Sequence, residues 1–326
     1  MNKYLSLLML PLVFTACQDD GVLAEQQQKP VESQGLYKLY GAVQTNADSR
    51  AQVVLNNTKV GEEEFIWNAG DSFSVYRQQD EDPRTPNIFT IDSKYSDKAS
   101  SSSAFFTSET ALNANETYAA IYPNHHTFDG IYTTLKLSTS VPNGSAEGWK
   151  QYFSENMFMK AYFVANEDSS IINFKQLSTI ARITYTNATE VTQMVNQVEL
   201  FGPGVSNRKG VYPFNDETKY GSIGSENSLG QMPSVYIQFG EPVEIAAGNS
   251  YDFYVIFFSG PRVDYGDEDK YQGIKIKLAV MPASSDSGFY IETPEINAST
   301  VLGDDNDYSW VVGGRYWFNI TQTEDE

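Results

Sequence analysis

Three observations predict an all-β fold for this chain of 326 residues. It carries 21 Tyr and 19 Phe among frequent Ser, Thr, Asn and Gly, a composition that suits pleated, half-buried surfaces. Its apolar residues alternate with polar ones over runs of strand length, and Pro, Gly, Asn and Ser separate the runs with no helical period between them. Strand-turn spacing this short points to a sandwich or a barrel. At 326 residues the chain exceeds what one core usually fills, so two domains are expected.

The N-terminus reads as an address. Met1-Asn2-Lys3-Tyr4 precedes an apolar run from Leu5 to Ala16 that is too short to span a bilayer, and Lys3 before it with Thr15-Ala16 at its end fits export and cleavage. Residues 1–16 are therefore expected to be a signal peptide. Cys17 is the only cysteine, which rules out an internal disulfide. Phe14-Thr15-Ala16-Cys17 resembles a bacterial lipobox, in which the cysteine becomes the lipidated first residue; the departure is Phe14, where Leu is commoner. An ordinary signal peptide followed by an incidental cysteine would leave an exported protein with one unpaired thiol. Gln18-Asp19-Asp20 resembles the acidic export tag of Bacteroidota lipoproteins, which implies the outer face of the outer membrane. A formal charge of -20 and a pI near 4.4 argue against nucleic acid or an anionic lipid surface as partner, because phosphates would be repelled. Residues 17–34, with Gln26-Gln27-Gln28 and Lys29-Pro30 and no apolar period, read as a lipidated tether.

Strands follow. Leu36 to Val43 places Tyr37, Leu39 and Val43 on one face, and Ala51 to Leu55 is a second candidate. The polar connection Asn46-Ala47-Asp48-Ser49 leads to Arg50, where a trypsin-like protease could cut. Phe65 to Tyr76 is a turn-plus-strand unit. Gly70 can take a positive φ, Asp71 can bond its own backbone, Phe73 and Val75 alternate with polar neighbours, and Trp67 ahead of the turn is a fold anchor. Asn87 to Ile91, Ala104 to Thr107, Thr117 to Tyr122 and Tyr132 to Leu137 continue the series. Glu147 to Met159, with Trp149, Tyr152 and Phe153, is a mixed apolar stretch that closes a first domain over 35–166. A second domain, 167–326, begins after the polar break at Asn166 to Ser170. Its strands are Ile171 to Phe174, Leu177 to Thr186, Gln197 to Phe201, Gly210 to Phe214, Val235 to Phe239, Tyr251 to Phe258, Ile274 to Met281, Phe289 to Ile291 and Arg315 to Ile320.

Laid out in this order, the chain resembles the fimbrillin-like lipoproteins of Bacteroidota. The resemblance is carried by the lipobox at Cys17, by Trp67 and Gly70-Asp71 leading into Phe73, Val75 and Tyr76, by Tyr118 to Pro123, by Asn173 to Arg182, and by Gly313-Gly314-Arg315-Tyr316. It implies two transthyretin-like β-sandwich domains in tandem and a structural or accessory subunit, anchor or tip, of adhesive fimbriae. Other fimbrial subunits would be its partners through strand exchange. In such a scheme a cut after Arg50 frees the strand bearing Tyr37, Leu39 and Val43, and a neighbour's strand fills the groove. The donor is the difficulty. Thr321 to Glu326 has no apolar residue, so donation would have to use Arg315 to Ile320 and strip the second domain of a strand; the subunit is then expected to end a fibre, anchor one, or not polymerise. The alternative is a monomeric surface lipoprotein that binds glycan or host protein with the same fold.

Chemistry is faint. His125-His126 are neighbours that point to opposite sides of an extended segment, and with no cysteine beyond Cys17 and no third histidine a turn beside Pro123-Asn124 is expected rather than a metal site. No Gly-x-Ser-x-Gly elbow accompanies them. Asp264 to Asp269 and Asp304 to Asp307 are oxygen-rich but lack the spacing of a calcium loop, so solvated acidic loops are expected. Among 42 acidic residues no glycosidase pair stands out. Neither a catalytic residue, a metal nor a cofactor is assigned, and no enzyme is expected. Trp149, Tyr152 and Phe153 could stack on sugar rings, but inter-domain packing is the stronger reading.

Overall fold

The alternation read from the sequence becomes a strand wherever it can be followed. The computed structural model describes residues 37–44, 67, 70–77, 86–92, 103–124, 127–128, 132–167, 169–202, 204–206, 210–213, 222–223, 234–259, 273–284, 287–294, 296–297, 310 and 313–323. In chain order the first strands are β1 (Tyr37–Gln44), β2 (Ser72–Arg77), β3 (Asn87–Ile91), β4 (Ser103–Ser108), β5 (Thr117–Tyr122), β6 (Thr127–Phe128), β7 (Tyr132–Leu135) and β8 (Ser140–Val141). A helix, α1 (Ala146–Asn156), follows, and then β9 (Met159–Val164), β10 (Ser169–Gln176), β11 (Ser178–Asn187), β12 (Gln193–Phe201), β13 (Val205–Ser206) and β14 (Gly210–Pro213). The last are β15 (Ser222–Ile223), β16 (Ser234–Ile245), β17 (Ser250–Ser259), β18 (Gly273–Pro282), β19 (Phe289–Glu292), β20 (Ile296–Asn297) and β21 (Arg315–Gln322). The chain is thus mostly strand, with one short helix among the described residues.

The strands form several sheets. β1, β10, β9, β5, β2, β3 and β4 pair in that order, and β4 returns to β1 to close a barrel. Inward residues alternate where one face meets water, as with Phe89 and Ile91 of β3 or Ala104 and Phe106 of β4. Two further sheets stack face to face: β13-β17-β11-β21, and β19-β18-β12-β16-β8, with β20 beside β18. Phe253 on the first and Phe239 on the second have ring centroids 5.7 Å apart. A small sheet, β15-β14-β7-β6, joins residues far apart in sequence.

Pairing crosses the sequence division expected at 166/167. β10 hydrogen-bonds to β1 in parallel and to β9, so the strand expected to open the second domain instead closes the barrel. The chain passes from barrel to sandwich through the buried Leu177, whose N–H donates to the Phe158 carbonyl at 2.8 Å. In the other direction β8 pairs in parallel with β16, adding a strand from the first half to a sheet of the second. Alternation shows which face of a strand is buried but not which sheet receives it, and this is why the exchange could not be read in advance.

The stretch from Glu147 to Met159 is α1 followed by the start of β9. Ser145 caps the helix by accepting from the Gly148 N–H at 3.2 Å. Trp149, Tyr152, Phe153 and Asn156 then recur at helical spacing and are all buried. The period changes from helix to strand between Asn156 and Met159 with no Gly or Pro to mark it. Asn156 makes the junction instead: its side chain donates to the Tyr152 carbonyl at 2.7 Å and accepts from the Ser138 N–H at 2.6 Å, and its carbonyl accepts from the Ser178 hydroxyl at 2.6 Å.

Candidate functional site

The candidate site is the seat of β1. β1 lies between a parallel neighbour, β10, and an antiparallel one, β4. Leu39 stands opposite Phe106, and Gly41 opposite Ala104 on one side and Ile172 on the other. Leu39 is fully buried. A Cβ at Gly41 would lie 3.0 Å from the Phe106 ring and 3.4 Å from Phe174, so this wall of the barrel is thin enough for aromatic side chains to press against its backbone.

Behind that wall sits a cluster of rings. Trp67 meets Phe106 at 4.9 Å, Tyr122 at 5.2 Å and Phe174 at 5.6 Å between centroids, each edge to face. Phe73 meets Phe106 at 4.7 Å and Phe174 at 5.1 Å, and stacks on Phe89 at 5.8 Å. All are fully buried or nearly so. Phe106 and Phe174 belong to the two strands that flank β1, so withdrawing β1 would open a gap lined by these two rings, with Trp67 and Phe73 behind them.

The turn before β2 fixes the cluster. Gly70 has φ 91°, a left-handed conformation that costs glycine least. Asp71 accepts from the Tyr122 hydroxyl at 3.2 Å, and its carbonyl accepts from the Ile91 N–H at 3.1 Å, tying the turn to β5 and β3. Burial, and then the Asp71 carboxylate, hold the Tyr122 hydroxyl well above the usual phenol range, so it stays a neutral donor. Outside the ring cluster, Arg77 pairs with Glu116 where β2 meets β5. Nothing here resembles a catalytic constellation: the buried polar groups hold backbone and rings in place.

Of the residues singled out from the sequence, Leu39, Trp67, Gly70 and Asp71 are brought together around this seat. Cys17, Arg50, the Ala51 to Leu55 candidate, His125, His126 and both acidic runs lie outside the described residues, as do the side chains of Tyr37 and Val43. Gly41, Phe106 and Phe174 lie on expected strands, Phe174 also within the Asn173 to Arg182 segment, but nothing in the sequence assigns them to this site. An isolated glycine inside a strand was the one available signal, since it marks close approach of another group to the backbone. Trp149 is buried, with Tyr254 at 5.3 Å and Phe239 at 5.6 Å, and its indole N–H donates to the Tyr251 hydroxyl at 2.7 Å. It packs α1 onto the sandwich and offers no face to a sugar. Among the described residues no group of His, Cys, Asp and Glu is arranged to hold a metal, and no helix is long and apolar enough to cross a membrane.

No family model matches the chain, and no curated protein matches it. Solved structures do. A candidate cell adhesion protein from Bacteroides ovatus is similar over 87% of this chain and 91% of its own, at 15% identity and a TM-score of 0.48. A fimbrial protein from Bacteroides vulgatus is similar over 87% and 95%, at 11% identity and 0.41. The fimbrial anchor protein Mfa2 from Porphyromonas gingivalis is similar over 88% and 90%, at 10% identity and 0.35. These three neighbours are named as an adhesion protein, a fimbrial protein and a fimbrial anchor, and all three are similar at low identity and low TM-score.

Proposed function

We propose that this chain is a cell-surface lipoprotein of the fimbrillin type, lipidated at Cys17 and carried on the outer membrane, that serves as a structural or accessory subunit, anchor or tip, of adhesive fimbriae assembled by strand exchange. Its two tandem domains would be variants of the transthyretin-like sandwich, the first closed into the barrel. The observation that carries the reading is the seat of β1. One short strand with a parallel and an antiparallel neighbour covers a groove lined by Phe106 and Phe174, and in sequence Arg50 lies between that strand and Trp67. Loss of such a strand leaves two unpaired strand edges and an apolar slot, the acceptor chemistry of strand addition. The lipobox supports the anchoring half of the reading.

β21 is a poor candidate for a donated strand. It pairs with β11 over eight register positions from Arg315 to Gln322, Phe318 and Ile320 are buried, and Gln322 accepts from the buried Tyr185 hydroxyl. Its withdrawal would open the sandwich core. This favours a subunit that accepts a strand without passing on its own, as at an anchor or a fibre end.

The test is limited cleavage with an Arg-specific protease. Protein cut after Arg50 is expected to release β1, bind a synthetic peptide spanning residues 36–44, and form no long homopolymers. A cut protein that cannot take up any strand peptide refutes strand acceptance, and long homopolymers refute the anchor or tip role. In parallel, Cys17→Ser is expected to move the protein out of the membrane fraction; unchanged membrane retention refutes lipid anchoring at that residue.

A further inference from the structure

The sheet β13-β17-β11-β21 presents an outer face on which in-register rows can be followed across three strands. Trp317, Arg182 and Tyr254 form one row, Asn319, Thr184 and Asp252 the next, and Thr321, Thr186 and Ser250 the third. Trp317 is 45% exposed, and among the described residues no ring or cation contact engages it. Tyr290, the other well-exposed aromatic among the described residues, differs in having the Lys277 ammonium 4.1 Å from its ring centre. Beside Trp317 the polar groups are held in place. Arg182 and Thr184 both donate to the Asp252 carboxylate at 2.6 Å, and the Thr186 and Ser250 hydroxyls are 2.8 Å apart.

We propose that this face is a carbohydrate-binding surface, with Trp317 stacking on the apolar C–H face of a neutral pyranose and Asn319, Thr184 and the Arg182–Asp252 pair hydrogen-bonding its hydroxyls. A sugar ring needs one flat apolar surface beside groups that both donate and accept, and these are the two kinds of group brought together here. The arrangement suits a sugar better than a protein. The aromatic is isolated among hydroxyl, amide and ion-paired groups, whereas the centre of a protein interface is a contiguous apolar patch depleted of charge. Because the Arg182–Asp252 pair is fixed before any ligand arrives, little side-chain freedom is lost on binding. The ion pair is locally neutral and the chain carries a net charge of -20, which disfavours sulfated or uronic-acid glycans. This inference is independent of strand exchange, since it uses none of the β1 seat.

The chain provides its own reporter. Of its four tryptophans, Trp67, Trp149 and Trp310 are at most 7% exposed, so acrylamide quenching of the accessible indole reads Trp317. Purified full chain is run in affinity electrophoresis through mannan, xylan and β-glucan as neutral probes and chondroitin sulfate as the anionic one. At least one neutral probe is expected to retard the protein and to shield Trp317 from acrylamide. Trp317→Ala should weaken retardation by on the order of tenfold, the scale of a buried tryptophan anchor at an interface, and Trp317→Tyr should keep most of it. Asn319→Ala, at an exposed position, should weaken it with no change in melting temperature. The proposal is overturned if no neutral probe retards the chain, if Trp317→Ala binds as the parent does, or if only the sulfated glycan binds. A purified protein partner that shields Trp317 when no sugar does also overturns it and assigns the face to a protein.

Discussion

Trp67 is held by three edge-to-face ring contacts and by complete burial, so its environment is set by shape as much as by area. Trp67→Ala should destabilise the protein by about 3–5 kcal/mol, a large share of the stability of an ordinary domain. Chemical denaturation measures this, with Trp67→Phe expected to recover part of the loss; a midpoint unchanged in the alanine variant would mean that the ring does not pack as described. Part of this site was legible. A large aromatic ahead of a turn rich in Asn, Gly and Asp has a local reading, because turn chemistry is local. That Phe106, Tyr122 and Phe174 are the rings it meets was not legible, because they come from strands far apart in sequence and only barrel closure brings them together.

Element by element, α1 shows how a helix serves a β protein. It lies over β17, and the Tyr152 hydroxyl accepts the Ile256 N–H at 3.1 Å, giving a partner to a backbone donor that β11 does not reach. Burial pushes the Tyr152 hydroxyl above its ordinary range, so it remains neutral at every physiological pH. Tyr152→Phe keeps the ring packing and orphans that amide, and should cost about 1–3 kcal/mol, the desolvation penalty of an unmet buried donor. Thermal unfolding gives the loss, and hydrogen exchange at Ile256 should quicken more than at neighbours on β17. Equal exchange in parent and variant would refute the capping role. The helix itself was missed in the sequence because its apolar stripe is short and runs into β9 without a break, so the two periods blur across Asn156 to Met159.

For the whole molecule, buried tyrosines make the fold sensitive to alkali. Burial pushes the Tyr185 hydroxyl up to about 12 and raises Tyr122 and Tyr152 as well. A phenol in an unfolded chain ionises near about 10, so above that pH the folded state holds protons that the unfolded state has lost. Their contribution is therefore fully present below pH of about 10 and is lost as pH rises through the folded values. Urea midpoints should fall steeply between pH of about 10 and 12, in step with the share of tyrosinate absorbance that appears only on unfolding; a midpoint that stays level across that range would refute the link. The sequence by itself determined the all-β class and most strand positions, because period-two alternation and turn residues act over a few neighbours and survive in any sheet. The export address expected from the run that ends at Cys17 is likewise a local reading, and that run lies outside the described residues. Only the tertiary structure decided that the first sheet closes on itself, that β10 joins the barrel, that β8 crosses to β16, and that Trp149 is buried while Trp317 faces water. Strand partners are chosen by long-range packing among faces that look alike in sequence, and an aromatic on a strand carries no local mark of whether another layer covers it.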